Sequence, residues 1–241
     1  MSLIKRELED YRILLRNVPS LVVTFFVISV ILMNLLANKE FISVRYFALD
    51  CGFLLSWVSF LCMDMICKRF GPKPAAKISI LAMVINLAVC IIFKLISFAP
   101  GMWGEYYSTG MTEVNDALNA TFGGSWFVVF GSSTAMVAAA ITNSFINQAV
   151  AKRLRTKGYK AFAARSFIST GIAQFVDNLT FALIVSYHFF GWTAAQVLIC
   201  SITGAIAELL CEVLFSPIGY RVSERWESEN VGSQYLQFAH Q

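Results

Sequence analysis

Apolar residues in this chain gather into long uninterrupted blocks instead of alternating with polar ones. From Val18 to Asn38 no charged residue occurs. A helix rising about 1.5 Å per residue would carry that run about 30 Å, the thickness of the hydrocarbon core of a bilayer. Five further blocks of similar length follow. The pattern predicts six spans, at about Pro19 to Ala37, Tyr46 to Ile66, Ile78 to Phe98, Trp126 to Val150, Phe167 to Phe190 and Ala194 to Ser216. The fold class expected is therefore all-α, an integral membrane six-helix bundle over residues 19–217, with an N-terminal arm (1–18) and a C-terminal tail (218–241). A basic stretch precedes the first block, as in a signal peptide. That block is longer than a signal core and ends Leu-Leu-Ala-Asn-Lys-Glu without a small-x-small cleavage site, so it reads as a retained span.

Charge placement orients the spans. Sixteen of the 19 Lys and Arg residues fall in the arm, the second-to-third connection, the fourth-to-fifth connection and the tail. Cytoplasmic connections carry such an excess, which places both termini on the cytoplasmic side and makes the span number even. The segment from Ala99 to Ser125 has Glu105, Glu113 and Asp116 and no basic residue, with Trp103, Tyr106, Tyr107 and Phe122 along it. It reads as a long loop at the outer headgroup level.

Composition agrees with this picture: 57% of residues are hydrophobic and 14% charged, against roughly 45–50% and 25% in soluble domains. The net charge of +4 is accounted for by orientation, so no nucleic-acid partner is expected. Six cysteines without a C-x-x-C pair and only two histidines give no metal site and no disulfide scaffold. P-loop, G-x-S-x-G and H-E-x-x-H motifs do not occur. The reading is of a chain that is not an enzyme, with no catalytic residues and no cofactor.

Polar groups inside spans are costly and mark candidate sites. On the fifth span Thr170, Gln174 and Asp177 recur at i, i+4 and i+7, with Phe181 a turn further on, and Asp177 falls near mid-membrane with Asn178 beside it. The sixth carries Glu208 and Glu212 one turn apart, below Gly204. The fourth sets Gly131, Ala135, Ala139, Asn143 and Asn147 every four residues, a small-residue seam that turns polar at its inner end. Asn34 closes the first span and Asp64 the second. A ring of amides and carboxylates at this depth suits binding a polar solute and passing it across, and it equally suits gluing helices together.

These residues resemble the queuosine precursor transporters, also called the vitamin uptake transporter family. The likeness rests on Asn34-Leu-Leu-Ala-Asn-Lys39, on Ser59-Phe60 followed by Asp64 and Arg69-Phe-Gly71, and on Arg165, Ser169-Thr170, Gln174, Asp177 and Phe181 in R-x-x-x-S-T-x-x-x-Q-x-x-D-x-x-x-F spacing, within residues 19–220. The resemblance implies a six-helix importer of 7-deazaguanines such as queuine, preQ0 or preQ1 in the bacterial inner membrane, similar to the substrate-binding subunits of energy-coupling-factor importers. This chain has Ala140 and Asn143 where many relatives carry Gln and Asp, and Lys68 where the D-x-x-x-E pattern has glutamate.

A guanine-like edge offers two adjacent N–H donors and a carbonyl. A carboxylate accepts from both donors while an amide serves the carbonyl. The expectation is that Asp177 takes the donors, Gln174 or Asn143 the carbonyl, Phe181 stacks on the ring and Glu208 meets an aminomethyl cation. Thr170, Asn34, Asp64 and Arg165 complete the candidate set. The partners expected are a deazaguanine base and the lipid bilayer, with a homo-oligomer left open. Two other readings stand beside this one: a passive subunit needing an external ATPase, and a non-transporting membrane scaffold.

Overall fold

The computed structural model describes residues 3–104, 106–124, 126–153 and 159–239. The chain opens with α1 (Leu3–Asn17) and α2 (Ser20–Leu36), then an antiparallel hairpin of β1 (Glu40–Val44) and β2 (Phe47–Asp50). After it come α3 (Phe53–Phe70), α4 (Pro72–Ser97), the short α5 (Tyr106–Thr109), α6 (Thr112–Gly124) and α7 (Trp126–Arg153). The second half holds α8 (Tyr159–Phe181), which runs through a π-helical turn (Ala182–Ser186) into α9 (Tyr187–Phe189), then α10 (Ala194–Ser228) and α11 (Ser233–Ala239). Local chemistry sets the breaks. Gly71 takes φ 95° and Pro72 starts α4, a glycine–proline stop and restart. Thr193 and Gln196 form a reciprocal capping box that begins α10.

The bundle is built inside out relative to a soluble protein. On α10 the buried positions are Val197, Cys200, Ser201, Gly204, Ala205, Glu208, Glu212, Ser216 and Gly219. The exposed ones are Leu198, Ile202, Ile206, Leu210, Leu214 and Ile218. Helix α4 repeats this, with Ala75, Ser79, Ala82 and Asn86 inside and Ile80, Val84, Leu87, Ile91 and Leu95 outside. Large apolar side chains on the outer face and small or polar ones within are what a lipid solvent requires. Four helical stretches are long and apolar enough to cross a membrane: Pro72–Ser97, Thr112–Asn143, Phe167–Phe189 and Ala194–Ser228. A fifth is the pair Lys5–Asn17 and Ser20–Leu36, bent by 105° at the break, if it is taken as one span. Helix α3 has Asp64, Lys68 and Arg69 within its 18 residues and falls outside that count.

Three expectations are corrected. The second helix begins at Phe53, not Tyr46, because Glu40–Asp50 pairs as a hairpin; Ile42, Val44 and Tyr46 alternate with Ser43 and Arg45, a strand periodicity that length counting overlooks. The segment after Ala99 is not a loop throughout. Helix α6 is held by Trp103 Nε1 donating to Asn119 Oδ1 (2.8 Å) and by Trp103 stacked on Phe122 at 5.1 Å. The sixth helix passes through Pro217 and continues to Ser228. The tail then packs on the arm, where Leu14, Val18, Phe70, Trp226 and Tyr235 share one buried cluster.

Candidate functional site

The polar centre lies where α3, α8 and α10 meet. Glu208 is buried on α10, and both its carboxyl oxygens are engaged. Ser56 on α3 donates to Oε1 at 2.7 Å and Asn178 on α8 donates to Oε2 at 3.1 Å. Asn178 Nδ2 also reaches the Gln174 carbonyl at 3.0 Å, which fixes its rotamer. Gly204 faces the Asn178 amide, at a distance where an added Cβ would make ordinary van der Waals contact, 3.4 Å. One carboxyl group thus joins three helices.

Two hollows flank this link. The first, about 80 Å³, is lined by Glu40, Asp50, Phe53, Phe181, Trp192 and Glu208 among others. The hairpin supplies its acidic wall. Asp50 Oδ1 accepts from the Phe53 N–H at 3.2 Å, satisfying a free amide at the start of α3. Burial raises the Asp50 carboxyl above its ordinary value, and the Gly52 and Phe53 N–H groups partly offset this. Gly52 is required here, because a Cβ would overlap the Met33 carbonyl oxygen on α2. The second hollow, about 30 Å³, is lined by Asp177, Ser56, Ser59, Phe60, Met63 and Ala140 among others. Ser56 faces this hollow while its hydroxyl holds Glu208, so the Ser56–Glu208 hydrogen bond stands between the two.

Asp177 has no hydrogen bond or ion pair to a described residue, and it lines the second hollow. It is within Coulombic reach of Glu208 and Asp50. Gln174, one turn earlier, is fully buried with neither amide atom hydrogen-bonded, and the Asn143 carbonyl oxygen is likewise buried without a partner. A buried amide left unsatisfied costs about 1–3 kcal/mol, so these groups are spare capacity at the centre of the bundle.

The remaining predicted residues divide. Phe181 and Glu208 share the first hollow, while Asp177 lines the second, so the expected stack of Phe181 over a base held by Asp177 does not lie in one cavity. Thr170 donates to Asp64 at 3.3 Å, a tie between α8 and α3. Asn34 sits apart with Asn86 around a separate space of about 20 Å³. The side chains of Arg165 and Asn147 lie outside the described residues. Sequence reasoning missed Glu40, Asp50, Phe53 and Trp192 as lining residues: the hairpin supplies Glu40 and Asp50, the first turn of α3 supplies Phe53 and the segment before α10 supplies Trp192. It also missed Ser56, a buried serine with no charge to mark it; only Ser59, one turn further along α3, drew notice. Among the described residues no group of three or more His, Cys, Asp or Glu is arranged to hold a metal ion.

A family model described as "Putative vitamin uptake transporter" matches residues 50–222. The chain belongs to this family. The match runs from the hairpin's last residue through α3 and on through most of α10. It includes every lining residue of the two hollows except Ala37, Glu40, Ala48 and Leu49 on the wall of the first and Phe26 and Met33 of α2 beside the second. No curated protein and no solved structure matches the chain. Family membership and the apolar outer faces of the helices make this a multi-pass membrane protein of a transporter family.

Proposed function

We propose that the chain imports 7-deazaguanine precursors of queuosine across the bacterial inner membrane, with α2, α3, α4, α7, α8 and α10 as six spans and both ends on the cytoplasmic side. The observation that carries the reading is Asp177, a carboxylate beside a hollow, with no basic side chain of the described residues paired to it. Such a group is compensated when a heterocycle with adjacent N–H donors arrives. The unsatisfied Gln174 amide is a natural reader of a carbonyl on the same ring. Hollows of about 80 and 30 Å³ are far below the roughly 300–1,000 Å³ of small-molecule sites. The base therefore enters a wider state, in which Ser56 and Glu208 have parted, the two hollows have merged and the helices around them have moved further apart.

Uptake of labelled queuine, preQ0 and preQ1 into cells lacking endogenous uptake tests the proposal. Asp177→Asn should abolish uptake while the protein still inserts and accumulates in the membrane. Undiminished uptake by that variant would remove Asp177 from the site. Saturable binding to the purified protein, read as a rise in melting temperature, separates a transporter from a scaffold.

A further inference from the structure

We infer that α1 is an interfacial helix whose outer face binds the anionic headgroups of the surrounding lipid leaflet, so that phospholipid is a specific partner of this chain. Helix α1 turns by 105° from α2, so if α2 follows the membrane normal α1 lies nearly in the membrane plane. Its depth is fixed by α4. Lys77, only five residues beyond Pro72, binds Glu7 at 2.6 Å and Asp10 at 2.5 Å, and the Tyr11 hydroxyl donates to the Lys77 carbonyl at 3.0 Å. That register sets α1 beside the first turns of α4, at headgroup level on the flank of the bundle. Leu14 is wholly buried on the same inward side.

On the inward side Lys77 thereby engages two of the three acidic residues of α1 and offsets one of their charges. The outward face is then Lys5, Leu8, Arg12, Leu15 and Arg16, at i, i+3, i+7, i+10 and i+11, all exposed. Leu8 is 65% and Leu15 42% exposed, and they share one shoulder of this face, with the cations at its middle and Glu9 at the far shoulder. Arg12 and Arg16 make no ion pair among the described residues. Leucines beside long basic side chains are the arrangement by which an in-plane helix sinks its apolar edge and reaches phosphates with the rest. A soluble protein partner would find the leucines directed at lipid.

The test uses the full chain in nanodiscs of phosphatidylcholine alone or mixed with phosphatidylglycerol, followed by hydrogen exchange of the backbone amides of α1. Exchange over residues 5–16 is expected to be slower in the anionic bilayer, and high salt should erase the difference. Each of Arg12→Gln and Arg16→Gln should reduce the protection by up to about fivefold. Leu8→Ser should reduce it in both bilayers without changing the salt dependence. Equal exchange in the two bilayers would overturn the inference and leave α1 held by Lys77 and by its buried packing against the tail. Protection that appears only on adding a soluble protein fraction would overturn it in favour of a protein partner.

Discussion

Replacing Glu208 by Gln and by Ala separates a carboxyl that ties helices from one whose charge is needed. In the native site Ser56 and Asn178 donate to its two oxygens at 2.7 and 3.1 Å. Two buried donors left with nothing would cost about 1–3 kcal/mol each. Both have a second acceptor already in reach, however: Phe53 O at 3.2 Å for Ser56 and Gln174 O at 3.0 Å for Asn178. The loss in Glu208→Ala is then that of two interhelical hydrogen bonds, each about 0.6 and at most about 1.7 kcal/mol in a bilayer, or about 1–3 kcal/mol in total. Glu208→Gln keeps the shape. Its carbonyl accepts from Asn178 and its amide donates to the Ser56 oxygen, whose proton turns to Phe53 O, so the change should stay below about 1 kcal/mol. Equilibrium unfolding of both variants in mixed micelles measures these values, and binding of a cationic and a neutral deazaguanine is measured on the same preparations. The expected pattern is near-native stability in Glu208→Gln with weaker binding of the cationic ligand. A loss above about 3 kcal/mol in Glu208→Gln would refute the assigned hydrogen-bond exchange, and an equal change in affinity for both ligands relative to the native protein would remove Glu208 from recognition.

Other outcomes follow from the packing. Gly131→Ala sets a Cβ against Val185 in the π-helical turn and should cost about 1–3 kcal/mol, whereas Gly124→Ala, with nothing near its Cβ, should change stability by less than about 1 kcal/mol; equal losses would show that close helix approach is not the cause. A double-mutant cycle of Asp64→Ala and Thr170→Val should give a coupling below about 1.7 kcal/mol for their 3.3 Å hydrogen bond, and a larger coupling would mean the pair is tied into a wider network. Tyr235, buried between α11 and α1 and facing Asp10, has its phenol pushed up from 10.0 to about 12 by burial first and by Asp10 second. Because the folded value is the higher, its contribution is full below pH 10 and is lost as pH rises toward 12. Ultraviolet titration should show a tyrosine component ionising near pH 12, and its loss in Tyr235→Phe checks the assignment.

The order of residues alone specified the solvent. Charge-free runs of bilayer length, basic residues gathered in alternate connections and polar side chains spaced at helical intervals all follow from what a helix in lipid must bury or expose. The courses of α4, α7 and α8, the start of α10 and the candidacy of Asp177 and Glu208 were therefore legible in one dimension. Two kinds of fact were not. Glu40 and Asp50 reach the first hollow through a hairpin whose register depends on pairing between strands, and no helical period marks them. The division of Phe181 and Asp177 between two hollows depends on how α8 rotates against α3 and α10. That rotation is fixed by the Ser56–Glu208–Asn178 link. Spacing along one helix says which residues share a face. Only the neighbouring helices decide what that face meets, because hydrogen bonds and close contacts between helices are set by all the surfaces at once.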